Sequence, residues 1–377
     1  MTKNRIISSD SHVVEPPNLW EDRMDKRKWG NLTPHLGNDG GKYDWWFVGD
    51  RRAAATGAVA AAGKRFERPE DIIQAGIYKD IRPGAFIPSE HVKDMDVDGV
   101  YGGVVYPSAG LAFFGLEDTR LVRAIFSAYN DWLANFCAHY PERIKGVGAV
   151  VLDDDIGSAV EDMEGVTRKG LAGVMISSFP RTGERYYLPK YEPFWAAAEE
   201  LNAPLSLHVT TNRFGGPQIL KEGRQALNAT DRCNNDYFVR QSLGDIVYSG
   251  VLERHPKLKI VSVEHELGWI PFFTSRMDVY YRDRPDVATY RFKDGAVPSD
   301  FMKRQVYHGF QEDVLGIELR HHIGVTQMLW GSDYPHAEST FPRSREILDQ
   351  ILEGVPEGER RLIEGGNSAR VYGFKQA

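Results

Sequence analysis

RIISSDSHVVEP, residues 5–16, opens on two isoleucines, passes through serines and ends with an acid, an imidazole and a second acid. A short β-branched run that turns polar at its C-terminal end has the form of a buried parallel strand whose tip reaches a functional face. The same form recurs outward along the chain. RIISSD (5–10) is followed by GGVVYPS (102–108), KGVGAVVL (145–152), AGVMISS (172–178), APLSLHV (203–209), KLKIVSVEH (257–265), RQVYHGF (304–310) and TQMLWGSD (326–333). Between them stand segments with apolar residues at helical spacing: Thr119 to His139, Ile156 to Lys169, Tyr191 to Asn202 and Asp236 to Glu253. Eight strands alternating with helices predict an α/β fold, a (β/α)8 TIM barrel with right-handed crossovers.

A length of 377 residues fits one barrel domain spanning 1–377, with a long insertion after the first strand at about 13–96. That insertion is rich in Trp and Gly and includes Trp45, Trp46, Phe47 and the run GAVAAAG. So long a connection in a compact domain usually acts as a lid or a substrate-facing wall, and the irregular stretch Asn212 to Arg232 is read the same way. Phe113 and Phe114 are further candidates for an apolar pocket, although such residues more often pack one element on another.

Hydrophobic residues at 42% and charged residues at 26% describe a chain able to bury a large core. The net charge of −7 comes from interspersed acids and bases with no Lys/Arg run to track a phosphate backbone, which excludes nucleic acid as the expected partner. No run of about 18 apolar residues offers a membrane span, and MTKNRIISSD lacks the apolar segment of a secretion signal, so a cytoplasmic protein is expected. Cys137 and Cys233 are too few for a disulfide framework or a thiolate site. Any metal must rely on histidine and carboxylate.

Strand periodicity supplies such ligands. Asp10 and His12, two apart on a strand, project to the same side. His208, His265 and Asp333 fall at the ends of the fifth, sixth and eighth strands, with Glu15 and His336 close by. A lone residue of this kind is more often a cap or a satisfied polar group. Five at the C-terminal strand ends, where such barrels place their chemistry, point instead to a divalent transition metal. Imidazole and carboxylate ligands favour zinc, with manganese or iron as alternatives. His35, His91, His139, His255, His321 and His322 fall in loops or near helix ends and receive no chemistry. Arg181, Arg185 and Arg213 follow the fourth and fifth strands and are candidates to fork a substrate carboxylate.

DSHVVEP, LSLHV, SGVLERHPKLKIVSVEHELGWIP, FQED, WGSDYPH and GNSARVYGF together resemble the amidohydrolase superfamily, in the amidohydrolase-related branch containing the aminocarboxymuconate semialdehyde decarboxylases. The motifs lie in the expected order over nearly the whole chain. The resemblance implies a metal held by the strand-one pair, His208 and Asp333, with His265 as acid/base and Asp333 binding the metal or taking the proton of bound water. Asp10-x-His12 departs from the family's usual H-x-H and is closer to its E-x-H variant. Glu15 is an added ligand or a supporting partner.

The function expected is a metal-dependent hydrolase or decarboxylase acting on a small cyclic or unsaturated carboxylic acid. One alternative is a dinuclear iron or manganese oxygenase, with Glu15, His265 and His336 serving a second ion. Another is a catalytically inactive partner subunit. The resemblance also implies a homo-oligomer, a dimer first.

Overall fold

The computed structural model describes residues 4–38, 40–153, 155–213 and 229–375. The eight expected strands are β1 (Ile6–Val13) and, after three others at His35–Asn38 (β2), Asp44–Val48 (β3) and Arg51–Ala55 (β4), β5 (Val100–Pro107), β6 (Ile144–Ala149), β7 (Gly173–Ile176), β8 (Leu205–His208), β9 (Ile260–Val263), β10 (Val306–Phe310) and β11 (Met328–Trp330). The large sheet runs β1-β5-β6-β7-β8-β9-β10-β11, every pairing parallel. Just beyond β11 the chain meets β1, where Asp333 N–H donates to Asp10 O at 2.8 Å and His12 N–H to Tyr334 O at 2.5 Å. The chain is thus the (β/α)8 barrel that the alternation implied.

The barrel strands are buried except for half-buried Tyr101 and Lys145 near the starts of β5 and β6, as expected where helices cover a parallel sheet. Helix Thr119–Ala138 shows how the sequence secures one of those covers. Asp118 caps it by accepting from Arg120 N and Leu121 N, and Leu121, Val122, Ile125, Phe126, Tyr129, Leu133 and Phe136 bury one face. The expected helix Asp236 to Glu253 is broken into Tyr237–Tyr248 and Val251–Arg254. Gly250 between them has φ 77°, and a Cβ there would lie 2.2 Å from the Tyr290 ring. Only glycine allows both the left-handed turn and that approach.

β2, β3 and β4 form a separate antiparallel sheet inside the stretch after β1. Trp45 and Trp46 are buried, Trp46 edge-on to Trp20 at 4.9 Å, so they pack this stretch onto the barrel. Phe113 and Phe114 are likewise fully buried. One continuous apolar core takes in Trp20, Trp46 and Ile81 together with barrel residues such as Val104 and Leu207. The stretch ends in helix Pro88–Asp98, which leads directly into β5. Of the irregular stretch Asn212 to Arg232, residues 214–228 lie outside the described residues. No helix among the described residues is long and apolar enough to cross a membrane.

His91 on helix Pro88–Asp98 carries a stability prediction. Its Nδ1 lies 2.8 Å from Gly84 O, its ring meets Phe136 and Tyr334 edge-on, and burial pushes its pKa down to about 4. The folded-state value is below that of the unfolded chain, so the unfolded chain takes the proton first as pH falls. This contribution is full above pH 6.5 and is lost between 6.5 and 4. From pH 6.5 to 5, unfolding free energies from urea titration should fall by about 2 kcal/mol more in the parent than in His91→Asn. Equal losses in the two proteins would exclude His91 as the source.

Candidate metal centre

β1 places Asp10 and His12 at the barrel mouth, β8 places His208 there, and the turn after β11 adds Asp333. All four are buried. His12 Nδ1 is 2.9 Å from Pro107 O and His208 Nδ1 is 3.0 Å from Val209 O. Each ring therefore donates to a carbonyl through Nδ1 and turns a bare Nε2 inward, the tautomer a metal-binding imidazole needs. His12 Nε2 stands 3.4 Å from Asp10 Oδ1 and 3.2 Å from Asp333 Oδ1, and His208 Nε2 is 3.5 Å from the same Asp10 oxygen. Four ligand atoms each about 2.1 Å from one ion at tetrahedral angles would be about 3.4 Å apart.

Burial without partners supports the same conclusion. Asp10 Oδ1, His12 Nε2, His208 Nε2 and Asp333 Oδ2 have no hydrogen-bond partner among the described residues. Orphaned buried polar atoms are costly, and the cluster of Asp10 Oδ1, His12 Nε2 and His208 Nε2, with Asp333 against His12, is explained by a cation among them. Burial alone would push the Asp10 carboxyl up, but His208 and His12 outweigh it and hold it below its usual range. Burial opposes the charged form of His12, yet Asp10 and Asp333 raise its pKa well above the ordinary value. The centre thus draws a positive charge to itself, a charge that a divalent cation supplies in place of the proton. Its nitrogen and carboxylate donors suit a divalent transition metal.

His336 joins on the outer side. Its Nδ1 is 2.9 Å from Asp333 Oδ1, its Nε2 is 3.1 Å from Ser108 Oγ, and its ring stacks on His12 with centroids 3.9 Å apart. Asp333, His336 and His12 form one group of mutually close ligand atoms, and Asp10, His12, His208 and Glu264 form another.

Glu264 was not anticipated, and two expected ligands stand elsewhere. Glu15 is fully buried, but its oxygens accept from Ala109 N and Gly110 N, both at 2.9 Å, so it anchors the start of helix Ala109–Phe113. His265 belongs to neither group of ligand atoms; its Nδ1 is 3.0 Å from Ser262 Oγ, and burial pushes it down to about 3. The cause lies in the backbone. β9 ends at Val263, and Glu264 and Glu266 have φ of 63° and 56°, so alternation stops one residue before the position that was counted as the strand end. Glu264, the first residue beyond the strand, takes the place instead, brought in by its left-handed backbone. Burial and the nearby Asp333 and Asp10 raise its pKa well above that of an ordinary carboxyl.

Four of the six non-glycine residues with positive φ among the described residues, Thr210, Glu264, Glu266 and Asp333, follow barrel strands on this face. Such conformations cost free energy and gather where a site over-determines them. Beside the centre lies a cavity of about 170 Å³. Ser108, Glu264 and His336 line it, and Ala54, Ala55, Ala58 and Val59 form a wall from the stretch after β1. The candidate arginines are engaged with acids: Arg213 and Arg181 with Asp153, at 2.7 and 2.9 Å, and Arg185 with Asp245 through two bonds of 2.7 Å. None of the three lines this cavity.

Comparison with known proteins agrees with this geometry. A family model described as Amidohydrolase matches residues 81–374. Among curated relatives, a γ-resorcylate decarboxylase from Rhodococcus jostii is 31% identical over 255 residues, 64% of this chain and 74% of that protein. A 2-amino-3-carboxymuconate-6-semialdehyde decarboxylase from Dictyostelium discoideum is 25% identical over 92% of this chain and 89% of its own length. Among solved structures, an amidohydrolase from Mycobacterium avium subsp. paratuberculosis superposes with TM-score 0.76 at 22% identity, covering 100% of this chain and 99% of that one. A dihydroxybenzoic acid decarboxylase from Polaromonas sp. JS666, determined with bound manganese and 2-nitroresorcinol, does so with TM-score 0.64 at 17% identity, covering 100% and 98%. The oxygenase and inactive-subunit readings find no support in these relatives.

Proposed function

The chain belongs to the amidohydrolase family, in the branch of the aminocarboxymuconate semialdehyde decarboxylases, and on that premise we propose that it is a divalent-metal-dependent decarboxylase of small aromatic acids. The observation that carries this reading is the cluster of buried, unpartnered ligand atoms of Asp10, His12 and His208, with Asp333 against His12, beside a cavity that Glu264 and His336 line together with small apolar side chains. Decarboxylase relatives favour loss of carbon dioxide over hydrolysis.

Asp10, His12, His208 and Asp333 would hold the ion, with manganese or zinc as the candidates. A bound divalent cation supplies Lewis-acid charge for substrate oxygens. The remaining tasks fall to the protein. The cavity wall orients the ring and excludes water beside it. Glu264, buried beside the centre and lining the cavity, delivers a proton to the ring carbon that bears the carboxylate. The bond to the carboxylate carbon then breaks, its electron pair restores the ring, carbon dioxide leaves, and Glu264 is reprotonated from solvent. Ser108 and Asp333 fix the His336 imidazole between them as one side of the site.

The test is carbon dioxide release from γ-resorcylate (2,6-dihydroxybenzoate) by protein stripped with a chelator and reloaded with manganese or zinc. Release should vanish on stripping and return with one of the two ions. Release indifferent to metal, or hydrolysis of aryl esters and lactones without decarboxylation of any aromatic acid, would overturn the proposal.

A further inference from the structure

The cavity beside the metal centre has linings of two kinds. Ser108, Glu264 and His336, next to the metal-binding residues, are polar. The wall contributed by the inserted sheet and the turn after it, Ala54, Ala55 and Ala58, is buried and offers no hydrogen-bonding side chain. That wall is held in place. Ala337 N–H donates to Ala58 O at 2.8 Å, tying the wall to the loop that carries Asp333 and His336, and Gly57 N–H donates to Gln74 O at 2.8 Å. A Cβ on Gly57 would lie 2.2 Å from Ala75 O, so the two backbones pass in direct contact. Ala58, Ala61 and Ala337 are buried together, with Ile72 packed over them. The other polar lining, Gln74, Thr210, Asn235, Arg232 and Glu338, is more open to solvent than the alanines, and Arg232 is paired with Glu338 at 2.6 Å.

An aromatic acid whose carboxylate lies toward the metal-binding residues turns its opposite edge to these methyl groups. A hydroxyl or carboxylate set against these alanines loses its water and finds no partner on them, whereas a hydrogen or an alkyl group loses nothing. We propose that Ala54, Ala55 and Ala58 determine specificity, selecting aromatic acids that are apolar at the position opposite the carboxylate over those that carry a polar group there. This inference rests on the decarboxylase reading for the orientation of the acid.

Calorimetric titration of the manganese-loaded protein with 2,6-dihydroxybenzoate and its 4-methyl and 4-hydroxy derivatives tests it, because binding is read whether or not carbon dioxide forms. The methyl compound should bind at least about tenfold more tightly than the hydroxy compound, the scale of one buried unpaired hydroxyl. Ala58→Leu should weaken the methyl compound more than the unsubstituted acid, again by at least about tenfold, through steric overlap. Ala58→Ser, a small change that keeps the fold if leucine does not, should shift preference toward the hydroxy compound. Equal or tighter binding of the hydroxy compound by the parent, uniform effects of both variants on all three acids, or no binding of any of them would overturn the proposal. Carbon dioxide is measured in parallel: acids that bind in the expected order without being decarboxylated would refute the decarboxylase reading and leave the role of the alanines standing.

Discussion

His208→Ala protein is expected to retain less than about a tenth of the parent's divalent metal and to decarboxylate at least about 10³-fold more slowly, since a bound cation contributes several kcal/mol of charge stabilisation and each 1.36 kcal/mol is about tenfold in rate. His208 ends β8 with Nδ1 committed to Val209 O, so its only free nitrogen is the one facing Asp10. Removing it leaves Asp10 and His12 to close on each other and opens the ligand set on the β8 side. Elemental analysis of the purified variant reads the first effect directly, and carbon dioxide release after reloading reads the second. Full metal content with an unchanged rate would return His208 to a purely structural role.

Much of this centre was legible because parallel strands impose a period of two. Asp10, His12 and His208 sit at strand tips, and the alternation that aims them at the mouth is written in the neighbouring residues, whereas Asp333 stands three residues beyond β11 at φ 57°. Where the backbone leaves that period, the reading fails. His265 was counted as a strand end, but β9 stops at Val263 and the left-handed Glu264 turns the chain before His265 is reached. Val263 pairs with His208 and faces the same side, so a strict count does lead to His265, and only the left-handed turn at Glu264, which no local pattern announces, brings the acid in instead. Glu15 was misjudged for a different reason: its partners Ala109 and Gly110 are more than ninety positions away, and no local pattern shows that a buried acid will anchor a distant helix start. Of the alanine wall, Ala58 and Val59 lie in the run GAVAAAG of the stretch expected to face substrate, but no pattern places Ala54 and Ala55 beside them. Trp45 and Trp46 drew attention as pocket residues, yet large aromatic side chains gain most by burial against Trp20 and its neighbours, and the small residues beside them are left to shape the cavity.

The sharpest separation between the two acid/base candidates comes from Glu264→Gln set against His265→Asn. Glutamine keeps the size of the side chain and removes the transferable proton, while Asp10, His12, His208 and Asp333 remain to hold the ion. Metal content should therefore stay near that of the parent while the decarboxylation rate falls by about 10² to 10⁴, the usual range for loss of a positioned acid. His265 donates or accepts through Nδ1 at Ser262 and lies outside the cavity lining, so His265→Asn should cost less than about tenfold in rate. A further readout does not depend on rate. In deuterium oxide the product takes up one deuterium at the carbon that lost carbon dioxide, and a pre-equilibrated single turnover should show that uptake slowed in Glu264→Gln and unchanged in His265→Asn. If the asparagine variant is the slower of the two with its metal intact, the proton belongs to His265, and Glu264 serves only to complete the ring of donors around the ion.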